Sequence, residues 1–320
     1  MALSRDLPAT YQEALAQTHE ILISSPQLLH RGGLDAEALE IVLWSLERSI
    51  HKRLSRMEFH TRLTERYPLD AGERALITAL ARTEGRPLQH LTGTQPFLDH
   101  EYDVGPDVLI PRPETEILAQ AAIDELKADG LSRGLGLEIG LGSGILSIEL
   151  LAAFPGLKML ASEISAPAAR RAEQNARRIL GSGAAAAHLQ ILAPGSPADV
   201  CECFGPALSD PADFLISNPP YLVFGEESEV EEQVKNHEPA VALFAPPGDA
   251  LFFYRQIATR AGAILKREAP IFLELAAERA AAIQNLFEAA GWAMIRVIPD
   301  LNQRPRVLIA RCGPSVVGQN

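Results

Sequence analysis

Cysteine is scarce: Cys201, Cys203 and Cys312 are the only three in 320 residues. They are too few and too unevenly spaced for a disulfide framework, and the Cys201-Cys203 pair has no further Cys or His at zinc-site spacing. A stapled secreted scaffold is therefore excluded, no metal is expected, and reduced thiols are. Positive charge is also short, with 29 Lys and Arg against 41 Asp and Glu and a formal net charge of −12. That balance disfavours attraction to phosphate backbones, so direct nucleic acid binding is not expected and a basic protein partner suits the field better. Long apolar runs are missing too. No stretch is long enough to span a bilayer, and Met1–Asp6 leads into mixed polar sequence and not into the apolar core of a signal peptide. The expectations are no membrane partner and a cytoplasmic location.

What is present is ordinary globular material, 47% hydrophobic and 22% charged, in a chain long enough for a main domain and a smaller one. Residues 1–85 read as a helical domain. Leu39, Val42, Leu43, Leu46, Ile50 and Leu54 recur at helical steps after an expected N-cap at Asp35, and Asp70 with Glu73 has the form of a capping box ahead of Leu76, Ile77 and Leu80. Residues 86–112 turn to Pro, Gly and β-formers, with Phe97-Leu98 and Tyr102-Asp103-Val104 flanking Asp99-His100-Glu101 as a linking hairpin. Residues 113–320 alternate short apolar runs with helical patterns. Strands are predicted at Leu135–Ile139, Lys158–Ser162, Leu189–Leu192, Asp213–Ser217, Ile271–Leu275, Ala293–Val297 and Arg306–Ala310. The alternation predicts an α/β fold, a mainly parallel seven-stranded sheet with helices on both faces, and the last two strands form an antiparallel edge hairpin because no helix separates them.

Two motifs carry chemistry. In the first, Glu138 and Ile139 lead into Gly140-Leu141-Gly142-Ser143-Gly144, a strand running into a glycine turn and then a helix, which brings backbone close to a ligand. Glu163 ends the next strand, where a doubly wound fold puts a carboxylate against ribose hydroxyls. A nicotinamide dinucleotide would want the third glycine one residue later, so that a helix N-terminus receives the pyrophosphate. S-adenosylmethionine has no phosphate, and its cationic sulfonium suits the acidic strand ends at Glu138 and Glu163. The role set aside for Glu138 is that of an acid at a helix terminus or facing solvent.

The second motif is Asn218-Pro219-Pro220-Tyr221, at the carboxyl end of the fourth strand. It suits a planar nitrogen whose delocalised lone pair makes it a poor nucleophile. The Asn218 side-chain oxygen and the Pro219 carbonyl can accept both N–H hydrogens, and both favour the positive charge that grows on nitrogen during attack. Tyr221 offers a flat face to hold the planar group in line. Asn218 also faces the expected cofactor, and Pro220 completes the substrate wall.

These residues resemble the N(5)-glutamine methyltransferase family. Gly85–Gly93 followed by Phe97 is similar to its interdomain hairpin region, and Leu109-Ile110-Pro111-Arg112-Pro113-Glu114-Thr115-Glu116 is similar to its release-factor branch. His237-Glu238-Pro239, Gly248-Asp249, Tyr254-Arg255, and Asp300 with Arg306-Val307 fit the same pattern. The resemblance implies a class I, Rossmann-like methyltransferase domain, S-adenosylmethionine as donor, and peptide chain release factors as protein substrate, modified on the glutamine of Gly-Gly-Gln. Phe97 is then a candidate wall for that glutamine, with core packing as its other reading. Arg112 is expected to fix a turn through hydrogen bonds. The acidic run Glu226–Glu232 is a solvated helix face or a docking site for a basic surface.

One departure concerns adenine: where the family has an Asp and an aromatic, this chain has Ala193-Pro194-Gly195-Ser196, with Asp199 as a possible substitute. Three other readings stay open, a ribosomal protein glutamine methyltransferase, a DNA adenine methyltransferase, and a binding protein that has kept the fold without turnover.

Overall fold

Local backbone chemistry decides where the N-terminal helices begin. In the computed structural model, which describes residues 6–28, 32–223, 225 and 231–313, the chain divides into two compact units, Met1–Gly93 and Thr94–Asn320. Residues 86–112, read from the sequence as one linking stretch, fall on both sides of that boundary.

The first unit is helical: α1 (Tyr11–Ile23), α2 (Leu34–Ile50), α3 (Arg56–His60), α4 (Leu69–Arg82) and α5 (Leu88–Thr92). Helix α2 starts two residues earlier than expected, because Gly33 adopts a left-handed conformation at the N-cap and leaves Asp35 inside the first turn. Pro68 is likewise the N-cap of α4, so Asp70 lies too far into the helix to cap it and instead accepts a hydrogen bond from the Ser49 hydroxyl at 2.5 Å. The capping box falls elsewhere, at Ser55 and Glu58 on α3. Val42, Leu46, Phe59, Leu76 and Ala79 are fully buried in the core of this unit, and Tyr67 sends its hydroxyl to the Val42 carbonyl.

The second unit opens with an antiparallel hairpin, β1 (Thr94–Phe97) and β2 (His100–Asp103). Its turn is Leu98-Asp99, tighter than the sequence suggested, with Leu98 at φ 48°. The hairpin is fastened within its own unit: Tyr102 donates to Glu149, and Asn175 bonds both the amide and the carbonyl of Asp103.

Then follow α6 (Pro113–Ala128), β3 (Arg133–Ile139), α7 (Ile145–Ala153), β4 (Gly156–Ser162), α8 (Ala166–Leu180), α9 (Ser182–His188), β5 (Leu189–Leu192) and β6 (Phe214–Ser217). The chain continues through α10 (Glu232–His237), α11 (Ala240–Leu243), α12 (Phe252–Arg260), β7 (Pro270–Glu274), α13 (Ala280–Ala289), β8 (Ala293–Pro299) and β9 (Pro305–Arg311). The sheet order is β5-β4-β3-β6-β7-β9-β8; the first five strands are parallel, and β9 pairs antiparallel with both β7 and β8. This is the mostly parallel seven-stranded sheet of a class I, Rossmann-like methyltransferase, with the expected hairpin at its edge.

The period of two sorts the strands between two cores. Leu137, Leu215, Ile271 and Leu308 face α12 and α13, whereas Met159, Phe214, Phe272 and Ile309 face α6, α7 and α8. Register then positions the site. Ile139 pairs with Ser162 on one side and Ser217 on the other, so the glycine turn, Glu163 and Asn218 leave the sheet side by side at its carboxyl edge.

Candidate active site

Two cavities meet at that edge. The first is walled by Gly140, Leu141, Gly142 and Ser143 from the turn, Glu138 and Glu163 from strand ends, and Pro194, Pro197 and Val200 from the far side. The second is lined by Arg112, Glu114, Tyr221, Glu231, Glu274 and Arg306. Leu109, Asn218, Pro219, Pro220 and Ala242 border both. Asn218 and its two prolines thus form the partition between a mainly apolar chamber and a more polar one.

The turn is built for close backbone approach. Gly140 and Gly142 have φ of 75° and 56°, and a β-carbon at either would meet open space and not protein. Four of its amides are engaged: Gly140 and Leu141 donate to the Ser162 carbonyl, Gly142 donates to Glu163 at 2.8 Å, and Gly144 donates to Leu141. A pyrophosphate needs such amides free, so their engagement fits a phosphate-free nucleoside such as S-adenosylmethionine. The other oxygen of Glu163 takes the Ser165 amide at 2.8 Å, which makes this carboxylate the clasp between turn and strand.

Several expected site residues take other places. Gly144 does not line the cavity; a β-carbon there would strike Ile148 and Ala172 at 2.9 and 3.1 Å, so this glycine serves the approach of α7 to α8. Glu138 has the role the sequence reading set aside. Its carboxylate accepts from the amide and the hydroxyl of Ser147 in the first turn of α7, while the side chain still forms part of the cavity wall. Burial, reinforced by neighbouring Glu163, pushes its pKa up to about 8 against those hydrogen bonds.

Phe97 is 1% exposed, stacked edge-on to Tyr102 in the core, and lines neither cavity; of its two readings the structure gives packing. Asp199 turns to the Ser196 hydroxyl at 2.9 Å and is absent from the cavity wall, leaving Pro194, Pro197 and Val200 as an apolar side. Arg112 donates to Glu238 at 2.5 Å, and Glu238 also takes the Ile110 amide, pinning the Pro111 turn as expected. Of the acidic run, residues 226–230 lie outside the described residues, and Glu231 borders the second cavity.

Around Asn218 the structure adds two residues that the motif did not reveal. Asn218 Nδ2 donates to Thr115 Oγ1 at 3.2 Å, and the Thr115 hydroxyl donates to Glu274 at 2.7 Å. Thr115 stands near the start of α6, and Glu274 is the last residue of β7. A carboxylate inside the apolar run Ile271–Leu275 was the available signal, because buried acids need a reason. Burial drives the Glu274 pKa up to about 7, aided by Glu114 and opposed by the Thr115 hydrogen bond, Arg306 and Arg112. Tyr221, beside it, is raised to about 12, by burial first and by Glu274 second, and stays a neutral phenol at physiological pH.

No family model matches the sequence. Individual relatives do. The release factor glutamine methyltransferase of Burkholderia pseudomallei is 35% identical over 249 residues, covering 77% of this chain and 83% of that protein. The release factor glutamine methyltransferase of Deinococcus radiodurans is 30% identical over 295 residues, covering 92% of this chain and 98% of that protein. Among solved structures, the hMettl16 catalytic domain in complex with MAT2A 3′UTR hairpin 1 superposes with a TM-score of 0.52 at 17% identity, over 75% of this chain and 81% of that one. That likeness concerns the fold alone. The extended identity to the curated relatives goes further, and with it the chain belongs to the release factor glutamine methyltransferase family.

Proposed function

We propose that this chain transfers a methyl group from S-adenosylmethionine to the side-chain amide nitrogen of the glutamine in the Gly-Gly-Gln motif of peptide chain release factors. The observation that carries the reading is the placement of Asn218, Pro219 and Pro220 on the border of both cavities, with the nitrogen end of the Asn218 carboxamide held by Thr115. The oxygen end is then the acceptor left for a substrate.

In this reading the first cavity holds the donor: the backbone of Gly140, Leu141, Gly142 and Ser143 forms its floor, and Glu163 supplies negative charge toward its cationic end, while Glu138, protonated at physiological pH, supports the first turn of α7. S-adenosylmethionine brings an electrophilic methyl group on a sulfonium. The chain's own residues deal with the nucleophile. Asn218 Oδ1 and the Pro219 carbonyl accept the two N–H hydrogens of the substrate amide, and the neutral Tyr221 ring, on the second cavity, keeps its plane aligned with the methyl group. Both acceptors gain strength as positive charge develops on nitrogen. As the nitrogen takes the methyl group, the sulfonium S–CH3 bond breaks to leave S-adenosylhomocysteine, and the nitrogen passes its now strongly acidic proton to water.

Among the described residues no helix is long and apolar enough to cross a membrane. In this reading the chain works in the cytoplasm, where release factors meet the ribosome. Incubating the protein with isotopically labelled S-adenosylmethionine and a purified release factor, then mapping the label by peptide mass spectrometry, tests the reading. One methyl group on the Gly-Gly-Gln glutamine is expected; label on any other residue, or none, refutes it.

A further inference from the structure

A carboxamide is nearly symmetric in shape, and its terminal torsion is broad and two-fold, so nothing within Asn218 decides which end faces a substrate. The choice matters. Presented with its NH2 end, Asn218 would set donor against donor and lose the acceptor that a nitrogen nucleophile requires. Asn218 therefore needs an outside reference.

We infer that Thr115 and Glu274 are a positioning relay that fixes the polarity of the Asn218 carboxamide. A hydroxyl owns one proton. That of Thr115 goes to Glu274 Oε2 at 2.7 Å, which leaves Oγ1 only lone pairs to offer Asn218 Nδ2 at 3.2 Å. An ionised carboxylate accepts only, so the direction of both bonds is set from the Glu274 end. Thr115 and Glu274 are 1% and 4% exposed, so water has little access to supply a competing partner. Keeping a carboxylate at the end of a wholly buried strand is costly, and packing would be served better by an apolar residue. Thr115 borders the first cavity and Glu274 the second, with Asn218 on both, so the relay runs along the partition that the proposed methyl transfer must cross.

The relay rests on the proposed methylation, and its test separates the two. Release factor methylation is followed in wild type, Thr115→Val, Thr115→Ser and Glu274→Leu, with cofactor affinity measured by calorimetry and the Asn218 side-chain NH2 observed by nuclear magnetic resonance. Thr115→Val keeps the shape and removes the hydroxyl; it should lower kcat about tenfold to a hundredfold with cofactor affinity and KM within about threefold of wild type. Glu274→Leu should act likewise. Thr115→Ser restores the hydroxyl and should recover kcat to within about threefold. The Asn218 NH2 protons should exchange faster with solvent in Thr115→Val than in wild type, a readout independent of turnover. Wild-type kcat in Thr115→Val, equal losses in the Ser and Val variants, or cofactor affinity falling in step with kcat each overturns the relay. A wild-type protein that methylates no release factor overturns the functional reading and takes the relay with it.

Discussion

The carboxylate of Glu163 meets the amide of Gly142 at 2.8 Å, joining the residue after β4 to the middle of a glycine turn that lies 21 positions earlier. Its second oxygen holds Ser165, so one side chain sets both the turn and the entry to α8. Charge-assisted hydrogen bonds of this kind contribute about 1.5–3 kcal/mol each. Glu163→Ala should therefore weaken S-adenosylmethionine binding by about tenfold or more, while Glu163→Gln, which keeps one acceptor, should lose less. Calorimetric titration of the purified variants measures this. Unaltered affinity in Glu163→Ala would remove Glu163 from the cofactor site.

Asn218 should show the opposite split. Asn218→Ala removes the acceptor aimed at the target nitrogen but leaves the glycine floor and both acidic strand ends in place. Losing one preorganised hydrogen-bonding group of this type costs about a hundredfold to a thousandfold in kcat. The expected outcome is that loss, with cofactor affinity near wild type, read from steady-state kinetics beside calorimetry. Full turnover in the Ala variant would exclude the assigned role.

Much of the fold is legible in the chain because its signals are local. The short apolar runs Leu135–Ile139 and Ile271–Leu275, the glycines after Ile139 and the prolines after Asn218 each act within a few residues, and the sheet edge follows from them. Helix starts were less legible, since Gly33 and Pro68 displaced the acidic caps expected at Asp35 and Asp70 by taking the preceding positions themselves. Side-chain partnerships were hidden for a different reason. Asn218 and Thr115 are 103 positions apart, and Thr115 and Glu274 are 159 apart, so only the packing of α6 against the sheet brings them together. Gly144 and Phe97 illustrate the same limit. Their residue types suit a ligand and a core equally, and the neighbours that decide, Ala172 and Tyr102, come from the tertiary fold.

Glu138 makes stability depend on pH in an unusual direction. Its pKa in the folded chain is raised to about 8 from an ordinary 4.5, so between those values the folded state keeps a proton that the unfolded state has released. Its contribution is whole below the unfolded value and is lost as pH rises through the folded one, with a slope approaching about 1.4 kcal/mol per pH unit. Glu138→Gln stays neutral and can still accept from Ser147. Melting temperatures taken from pH 5 to pH 9 should therefore fall more steeply for wild type than for this variant. Parallel curves would show that Glu138 does not carry the dependence.

The relay gives turnover a pH dependence of its own. Glu274 faces Glu114 from α6, Arg306 from β9, Arg112 from the turn before α6, Tyr221, and Tyr254 from α12; burial prevails among these influences and brings its pKa to about 7. Above that value the ionised carboxylate accepts the Thr115 proton, and Asn218 is held with its oxygen toward the substrate. Below it, a protonated Glu274 can donate to Thr115, Thr115 can donate to Asn218 Oδ1, and the carboxamide is free to present the wrong end. Saturating turnover should accordingly decline as pH falls through about 7, following a single ionisation. Glu274→Gln has no proton to gain, so its kcat should be lower but level across the same range. A pH series of kcat for both proteins, with release factor and S-adenosylmethionine saturating, makes the comparison; an acid limb that persists unchanged in Glu274→Gln would assign it to another group and deny Glu274 control over Asn218.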